Sequence, residues 1–192
     1  MIVDALILAG GRSSRLGNGD KHRLQIGSET LLHRSVDAVR RAGARRVIVV
    51  GDEGVDGVPA VREDPAFAGP VAAIAAGLRA LPGDAGAVLV IACDMPGVDV
   101  ALPALLAGFG GDGAIAVDRG RLQQLVIAVR PVALASAIDA LPTVIDASMR
   151  TLLASLDLAE VSVPEGSTDD IDTWADAARL GATPATTGAP AS

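Results

Sequence analysis

Short apolar runs alternate along the chain with segments whose apolar residues recur at helical spacing. The runs are rich in Val, Ile, Leu and Ala, as in strands buried on both faces of a sheet. They cover residues 3–8, 47–50, 87–92, 114–117, 125–129 and 158–163, with residues 58–61 as a short edge strand. The helical segments cover residues 28–43, 70–81, 99–106, 131–141 and 149–156. This alternation predicts an α/β fold with a mostly parallel central sheet.

Local signals mark where several helices begin and end. Ser28 and Glu29 precede the first helix, and Pro70 takes a first helical position in the second. Asp172 or Thr173 would cap the last helix, which is expected to end at Gly181. Residues 182–192 consist of Ala, Thr, Pro, Gly and Ser, which predicts a disordered tail after a single domain over residues 1–181.

The first strand leads into Gly10 and Gly11 and then into a polar loop. Without Cβ atoms, these glycines would let main-chain N–H groups approach phosphate oxygens closely. The loop carries Arg12, Arg15 and Lys21 in a chain of formal net charge -7, which predicts a local cationic pocket for an anionic ligand. The alternative is that the two glycines form only a turn. The loop matches neither G-x-G-x-x-G nor G-x-x-x-x-G-K-[ST], which excludes a dinucleotide-binding turn and a P-loop.

The most apolar strand, residues 87–92, is followed at once by Cys93 and Asp94. An acid just past the carboxyl end of a central strand lies where open α/β sheets bind ligands. Mg²⁺ prefers such hard oxygen ligands and takes one or two carboxylates together with waters and substrate phosphates. Asp94 is therefore a candidate Mg²⁺ ligand. Cys93 has no nearby base to activate it and is expected to be a packed thiol.

The composition excludes several classes of protein. Hydrophobic residues make up 50% of the chain and aromatic residues only 2%, so Ala, Val, Leu and Ile must build the core. One cysteine excludes an internal disulfide framework, and two histidines leave no histidine cluster for a metal. An acidic chain with few aromatics is unsuited to nucleic acid. Because no apolar run approaches the roughly 18 residues of a membrane span, and the start lacks a basic leader, we expect a cytoplasmic protein that binds no membrane.

The glycine loop carries a family resemblance. Residues 8–11 read LAGG, residues 14–17 read SRLG and residues 20–21 read DK. In this order and spacing they resemble the signature of the nucleotidyltransferases similar to molybdenum cofactor guanylyltransferase, in which L-A-G-G is followed by R-M/L-G and then D-K.

Two later segments are similar to the same family. Asp64, followed by Gly69 and Pro70, resembles the family's D-x-x-x-x-G-P segment, and residues 93–96 resemble its C-D-x-P motif. The resemblance extends from Ile2 to about residue 181. It implies a three-layer Rossmann-like nucleotidyltransferase fold, with the domain of that family over residues 1–181.

The resemblance also implies roles for individual residues. The glycine loop would hold the triphosphate of a nucleotide, with the base and ribose nearby. Arg15 and Lys21 would neutralise charge on the α-phosphate and the leaving group, and Asp94 would bind Mg²⁺, so these three are the catalytic candidates. From the residues alone, Asp64 would only cap a turn before Pro65. The full set implied for the nucleotide is Leu8, Ala9, Gly10, Gly11, Lys21, Gly51, Asp64 and Asp94.

The implied acceptor side departs from the family pattern. Gln123 lies where the family has a histidine or glutamine followed by proline, but Gln124 takes the place of that proline. Asp170 and Asp172 lie in a D/N-x-D/N-T segment, which implies contact with a second metal or with the pterin. Two acids here add negative charge beside an anionic acceptor unless a metal or a base compensates.

The implied reaction moves GMP from GTP to the phosphate of molybdopterin (molybdenum) cofactor and releases pyrophosphate, with Mg²⁺ as cofactor. Enzymes that deliver or accept the cofactor would be its further partners. Three alternatives stay open: a CTP-dependent transferase for the same pterin, a transferase for another small phosphorylated acceptor, and a non-catalytic cofactor-binding homologue. The joint presence of Arg15, Lys21 and Asp94 disfavours the last, and spacing alone does not determine the base.

Overall fold

The strands and helices are seen in a computed structural model that describes residues 1–10, 21–55 and 57–184. The strands are β1 (Val3–Leu8), β2 (Gln25–Ile26), β3 (Glu29–Thr30), β4 (Ala44–Val50), β5 (Ala60–Val61), β6 (Ala87–Ala92), β7 (Gly113–Asp118), β8 (Arg121–Val129), β9 (Leu158–Ser162) and β10 (Ala182–Thr183). The α-helices are α1 (Leu31–Arg41), α2 (Pro70–Ala80), α3 (Leu102–Ala107), α4 (Pro131–Asp139), α5 (Met149–Leu153) and α6 (Trp174–Arg179). Short 3₁₀ helices cover Lys21–Arg23 and Val98–Val100.

The main sheet contains, within the described ranges, seven strands in the order β5-β4-β1-β6-β8-β7-β9. The pairs β4–β5, β1–β4, β1–β6 and β7–β9 are parallel, whereas β8 runs antiparallel to both β6 and β7. The predicted α/β class with a mostly parallel central sheet is confirmed. β1 lies between two parallel neighbours, so its carboxyl end is flanked by the carboxyl ends of β4 and β6.

Helices cover both faces of this sheet and make three layers. Ile7 of β1 packs with Leu32 and Val36 of α1 and with α3 on one face. Leu6, the residue before Ile7, lies on the other face of the sheet. It packs there with Ile74 of α2 and with α4 and α5. Burying each such side chain contributes about 1.5–3 kcal/mol relative to leaving it exposed. Because helices cover both faces, a ligand can reach the sheet at the ends of its strands.

Gly77 allows α2 to approach the sheet closely. A Cβ atom at this position would lie 2.8 Å from Val50 Cγ2 and 2.9 Å from Leu6 Cδ2, so a larger residue would push the helix away from the strands. The small residues of α2 therefore fix its distance from β1 and β4. This packing holds the ends of those two strands in a rigid frame.

A smaller sheet, in the order β10-β2-β3, lies against the start of α1 and against α6. The sequence did not predict it. Ala182 pairs with Ile26 and Thr183 with Gln25, so the first residues assigned to a disordered tail form a strand. Residues 185–192 lie outside the described residues.

The ends of the helices differ slightly from the predicted ones. α1 begins at Leu31 and not at Ser28, because Thr30 caps it by accepting a hydrogen bond from the His33 amide. Thr173 caps α6 in a capping box with Asp176, as one of the two predicted alternatives. Over the part of the chain that the structure describes, no helix has both the length and the apolar character needed to cross a membrane.

Candidate active site

The carboxyl ends of β1, β4 and β6 lie side by side. Leu8 is in register with Val50 on one side and with Ala92 on the other. The Ala9 amide donates to the Val50 carbonyl over 2.9 Å, and the Cys93 amide donates to the Leu8 carbonyl over 3.0 Å. The segments that follow the three strands therefore start from neighbouring points, which brings Gly10 and the Cys93-Asp94 segment to the same place.

Gly51 is required where the chain leaves β4. A Cβ atom here would lie 3.2 Å from both the carbonyl carbon and the Cβ of Ala9, closer than side chains ordinarily approach. The Gly51 amide also donates to the Val61 carbonyl over 2.9 Å, which links β4 to the edge strand β5. The residues predicted to surround a nucleoside, Ala9 and Gly51, are thus in direct contact.

The polar glycine loop leaves and re-enters the fold at this edge. Gly11 and Arg15, both predicted site residues, lie outside the described residues. Lys21 begins the 3₁₀ helix that follows, and two residues later Arg23 forms an ion pair with Glu53, just beyond the end of β4. The described chain on either side of the loop therefore lies next to the ends of β1 and β4.

Two hydrogen bonds to the main-chain carbonyls of residues 93 and 94 hold the Asp94 backbone in place. The Ser35 hydroxyl of α1 donates to the Cys93 carbonyl over 3.3 Å. The Ile171 amide donates to the carbonyl of Asp94 itself over 3.0 Å. Asp94 is half-buried, whereas the Cys93 side chain is buried, as expected for a packed thiol. The main-chain position of this candidate metal ligand is thus set independently of its carboxylate.

The bond from Ile171 also brings the predicted acceptor residues to the site. Ile171 is fully buried in the small core beneath β2 and β10, and it separates Asp170 from Asp172. Asp170 is exposed and Asp172 is half-buried. Sequence reasoning placed both near the active site, and their main chain does lie beside that of Asp94.

Asp118, at the end of β7, anchors the segment that leads to Ile171. Its buried carboxylate accepts hydrogen bonds from the Gly166 amide at 3.0 Å, the Thr168 amide at 3.3 Å and the Thr168 hydroxyl at 2.8 Å. A carboxylate that accepts several such bonds orders the main chain around it. Asp118 therefore holds residues 166–168 and, through them, the stretch that reaches Asp94.

Two arginines fix Asp169 in this stretch. Arg119 donates to one carboxylate oxygen over 2.7 Å and Arg179 to the other over 2.6 Å. The hydrogen bond from Arg179 lowers the pKa of Asp169 below its usual range, and Arg119 adds to this effect against the opposing influence of burial. These guanidinium groups also add positive charge beside Asp170.

Gln123 lies past the end of β6, on the side of Asp94. Because β8 is antiparallel to β6 and Ile91 pairs with Val126, the amino-terminal part of β8 continues beyond Ala92. β8 begins at Arg121, four residues earlier than the predicted strand. Gln123 is half-buried, and its amide nitrogen donates to the Arg121 carbonyl over 3.3 Å.

Asp64 lies on the opposite side of β1 from Asp94. It is exposed on the segment between β5 and α2, two strands away from β1 in the sheet. Nearby, Arg62 forms an ion pair with Asp52, which follows Gly51. The carboxyl edge therefore has two sides: one contains residues 51–52 and 62–67, and the other contains residues 94–97 and 166–172.

Sequence reasoning missed the residues that position the site. Ser35, Asp118 and Ile171 act through main-chain groups far away in the chain, and nothing in their local sequence indicates these partners. The one feature of the sequence that could have indicated Asp118 is its place at the end of an apolar strand, which resembles the place of Asp94 after β6. Within the described residues there is no group of three or more His, Cys, Asp and Glu arranged to hold a metal.

The chain was compared with known proteins. The family described as the MobA-like NTP transferase domain matches residues 5–161. A protein of Opitutus terrae named probable molybdenum cofactor guanylyltransferase is 41% identical over 50% of this chain and 49% of its own length. One of the same name from Chloroflexus aggregans is 35% identical over 70% of this chain and 69% of its own. The first match thus spans about half of the curated relative.

Solved structures share the fold. A nucleotidyl transferase from Methanothermobacter thermautotrophicus has a TM-score of 0.75 and 20% sequence identity, over 94% of this chain and 96% of its own. At this identity the likeness concerns the arrangement of the strands and helices. It confirms the expected three-layer nucleotidyltransferase fold.

Proposed function

Because the chain belongs to the family of MobA-like NTP transferase domains, we propose that it transfers GMP from GTP to the phosphate of molybdopterin (molybdenum) cofactor. An acceptor phosphate oxygen attacks the α-phosphorus of GTP, the bond from that phosphorus to the bridging oxygen breaks, and pyrophosphate leaves. The names of the curated relatives support this choice of substrates.

One observation carries the proposal. Leu8 is in register with both Val50 and Ala92, so the start of the glycine loop and Asp94 share one edge of the sheet. A triphosphate lying across this edge would begin at the main-chain amide of Gly10, and Gly11, Arg15 and Lys21 stay its predicted ligands. Such a reaction depends mainly on positioning and on neutralisation of charge. A phosphate monoester as acceptor requires no strong general base, in agreement with the lack of a histidine among the predicted site residues.

The donor set fits a magnesium ion. Mg²⁺ usually takes one or two protein carboxylates, with phosphate oxygens and waters as its other ligands, so a three-residue cluster is unnecessary. Asp94 would hold the ion, and its main chain is fixed by Ser35 and Ile171. Bound Mg²⁺ would neutralise charge on the phosphate oxygens.

The side of the edge that contains Asp170 and Asp172 would receive the pterin. Gln123 at the start of β8 offers an amide that both donates and accepts hydrogen bonds. Arg119 and Arg179 pair with Asp169 and offset part of the negative charge of this segment. An anionic acceptor would therefore meet a surface that carries both positive and negative charges.

Thermal unfolding with GTP, CTP and ATP, each with and without Mg²⁺, tests the proposal. We expect the largest rise in melting temperature with GTP and Mg²⁺ together, and release of pyrophosphate only when molybdopterin cofactor is added. Equal shifts that do not depend on the metal would contradict a transferase. A rise in melting temperature with CTP alone would indicate that CTP, and not GTP, is the nucleotide donor.

A further inference from the structure

A small polar cavity lies between helix α1 and the segment that follows Asp94. Residues 34, 35, 38 and 41 of α1 line it, together with residues 95, 96, 98 and 99. Its volume is about 90 Å³, well below the roughly 300 Å³ at which pockets for drug-sized ligands begin. We call it the α1 cavity. It has room for a small ion and is too small for a nucleotide or a pterin.

Two arginines of α1 line this cavity, each with a loosely held carboxylate beside it. Arg34 and Arg41 lie two helical turns apart on one face of α1. Arg34 Nη1 lies 3.5 Å from Glu29 Oε2, and Arg41 Nη2 lies 3.5 Å from a carboxylate oxygen of Asp99. Both distances exceed the about 2.7–2.9 Å of a charge-assisted hydrogen bond. The two acids therefore attract the arginines without binding them tightly.

The Nε atom of Arg34 is buried, and among the described residues it has no hydrogen-bond partner. A buried donor without a partner is costly, so native structures supply such a group with a protein acceptor, a water or an ion. By contrast, Arg119 and Arg179 donate to the two carboxylate oxygens of Asp169 over 2.7 Å and 2.6 Å. Arg34 thus keeps a donor for a ligand, whereas those two arginines are already engaged.

The α1 cavity adjoins the segment that contains the candidate metal ligand. Ser35 lines the cavity, and its hydroxyl donates to the Cys93 carbonyl over 3.3 Å. Met95, directly after Asp94, also lines it, and the Val98 amide donates to the Met95 carbonyl over 3.2 Å. A ligand here would therefore lie against groups that hold the chain on both sides of residue 94. None of the described lining residues belongs to the set predicted for the nucleotide or the acceptor.

We propose that the α1 cavity binds a small oxyanion, a phosphate or a carboxylate, and that the bound ion stabilises residues 93–99. The guanidinium group of Arg34 donates to the ion, as arginines do to both kinds of oxyanion, and Arg41 adds a second positive charge. The ion displaces Glu29 and Asp99 from the arginines. This displacement costs little, because exposed ion pairs contribute little to stability.

An NMR titration of the full ¹⁵N-labelled chain with sodium phosphate tests the site, with sodium chloride at equal ionic strength as the control. The amide signals of Ser35, Met95 and Val98 should shift saturably with phosphate and stay in place with chloride. A parallel titration with sodium acetate distinguishes the two kinds of ligand. Tighter binding of phosphate indicates a phosphate-like ligand, and tighter binding of acetate indicates a carboxylate. If neither ion moves these signals, the site does not exist.

The Arg34→Gln variant tests the main donor. Its Kd for the tighter-binding ion should rise by at least about tenfold, because a charge-assisted hydrogen bond is lost. Arg40→Gln removes a neighbouring cation of α1 that does not line the cavity, and it should bind the ion as the wild type does. Unchanged binding in Arg34→Gln would overturn the proposal. An equal loss in both variants would also overturn it, since only the overall positive charge would then matter.

The competing acids predict an effect of the opposite sign. Glu29→Gln and Asp99→Asn should each tighten binding about threefold, in line with the strength of an exposed ion pair. Loss of a purely structural ion pair would not tighten the binding of an added ion. Unchanged or weaker binding in both variants would overturn the assignment of Arg34 and Arg41 as ligands of the ion.

Amide hydrogen exchange tests the effect on the segment after Asp94. The Val98 amide donates to the Met95 carbonyl and the Val100 amide to the Gly97 carbonyl. Exchange at both amides should slow when the wild type is saturated with the ion, and it should not slow in Arg34→Gln. Equal exchange with and without the bound ion would show that the ion does not stabilise this segment.

Discussion

Different groups hold Asp4 and Asp84 at the amino edge of the main sheet and Asp94 at its carboxyl edge. At the amino edge, fully buried Asp4 accepts from Arg45 over 3.3 Å, and Asp84 accepts from Arg45 and Arg46 over 2.6 Å each. At the carboxyl edge, Asp94 is positioned by hydrogen bonds to the main-chain carbonyls at residues 93 and 94. Arginines of the protein neutralise the first group, which suits stability. Hydrogen bonds to the main chain fix the backbone of Asp94 just past the end of β6, where open α/β sheets bind ligands.

The sharpest test of this contrast is to replace Asp94 by Asn. If its carboxylate supports the reaction, pyrophosphate release should fall by at least about 100-fold, the usual effect of removing a major electrostatic contact in an active site. The variant should stay folded without ligands, as circular dichroism would show, because the bonds from Ser35 and Ile171 are accepted by main-chain carbonyls that the substitution keeps. The matched change at the amino edge, Asp84→Asn, should leave turnover as in the wild type.

Lys21→Ala should also abolish most pyrophosphate release while the fold is retained. Its ammonium group would neutralise charge that develops on the α-phosphate and the leaving group. Turnover under saturating GTP and circular dichroism measure the two effects. Arg150→Ala, which removes an exposed cation from α5, is the control for a general loss of positive charge. Normal turnover in Lys21→Ala would remove this residue from the mechanism.

Asp118→Ala should lower both stability and acceptor binding. It leaves the amides of Gly166 and Thr168 and the Thr168 hydroxyl without their buried acceptor. We expect a loss of about 2 kcal/mol in the free energy of unfolding by urea. The KM for the pterin should rise more than that for GTP, because the loosened segment contains Asp170 and Asp172. Equal changes in both KM values would argue against a selective effect on the acceptor side.

The smallest effect is expected at the amino edge. Hydrogen bonds from Arg45 and then Arg46 lower the pKa of Asp84 to about 2, from 3.8. A lowered pKa stabilises the fold above pH 3.8, and this contribution is lost as the pH falls through about 2. The melting temperature of Asp84→Asn should therefore lie slightly below that of the wild type at pH 6, and the difference should shrink at pH 2.5. A constant difference would contradict the ion pairs.

The long apolar strands were predictable because burial on both faces leaves an unbroken apolar run. The strands β2, β3 and β10 were not, since each has two residues and its pairing depends on distant partners. The antiparallel direction of β8 has a local cause in the chain. Arg119 and Gly120, both with positive φ, form the tight turn between β7 and β8.

The candidate site was predictable only in part. An acid after the most apolar strand indicated Asp94, because strand ends in such sheets bind ligands. The bond from Ile171 and the anchoring of residues 166–168 by Asp118 depend on the folded path of the chain. The exposed stack of Arg62 on Phe67 also required the structure, since the sequence around Pro65 indicates only a turn.

The hydrogen bond from Ile171 to Asp94 has a consequence for biosynthesis on the ribosome. The glycine loop and Asp94 are translated early, but the residue that braces Asp94 is translated near the end of the chain. The family match ends at residue 161, so a nascent or truncated chain that stops there would contain every catalytic candidate and still lack this brace. Such a chain would hold Asp94 only from the side of Ser35. The hydrogen bonding that braces Asp94 is therefore completed only after residue 171 has been translated.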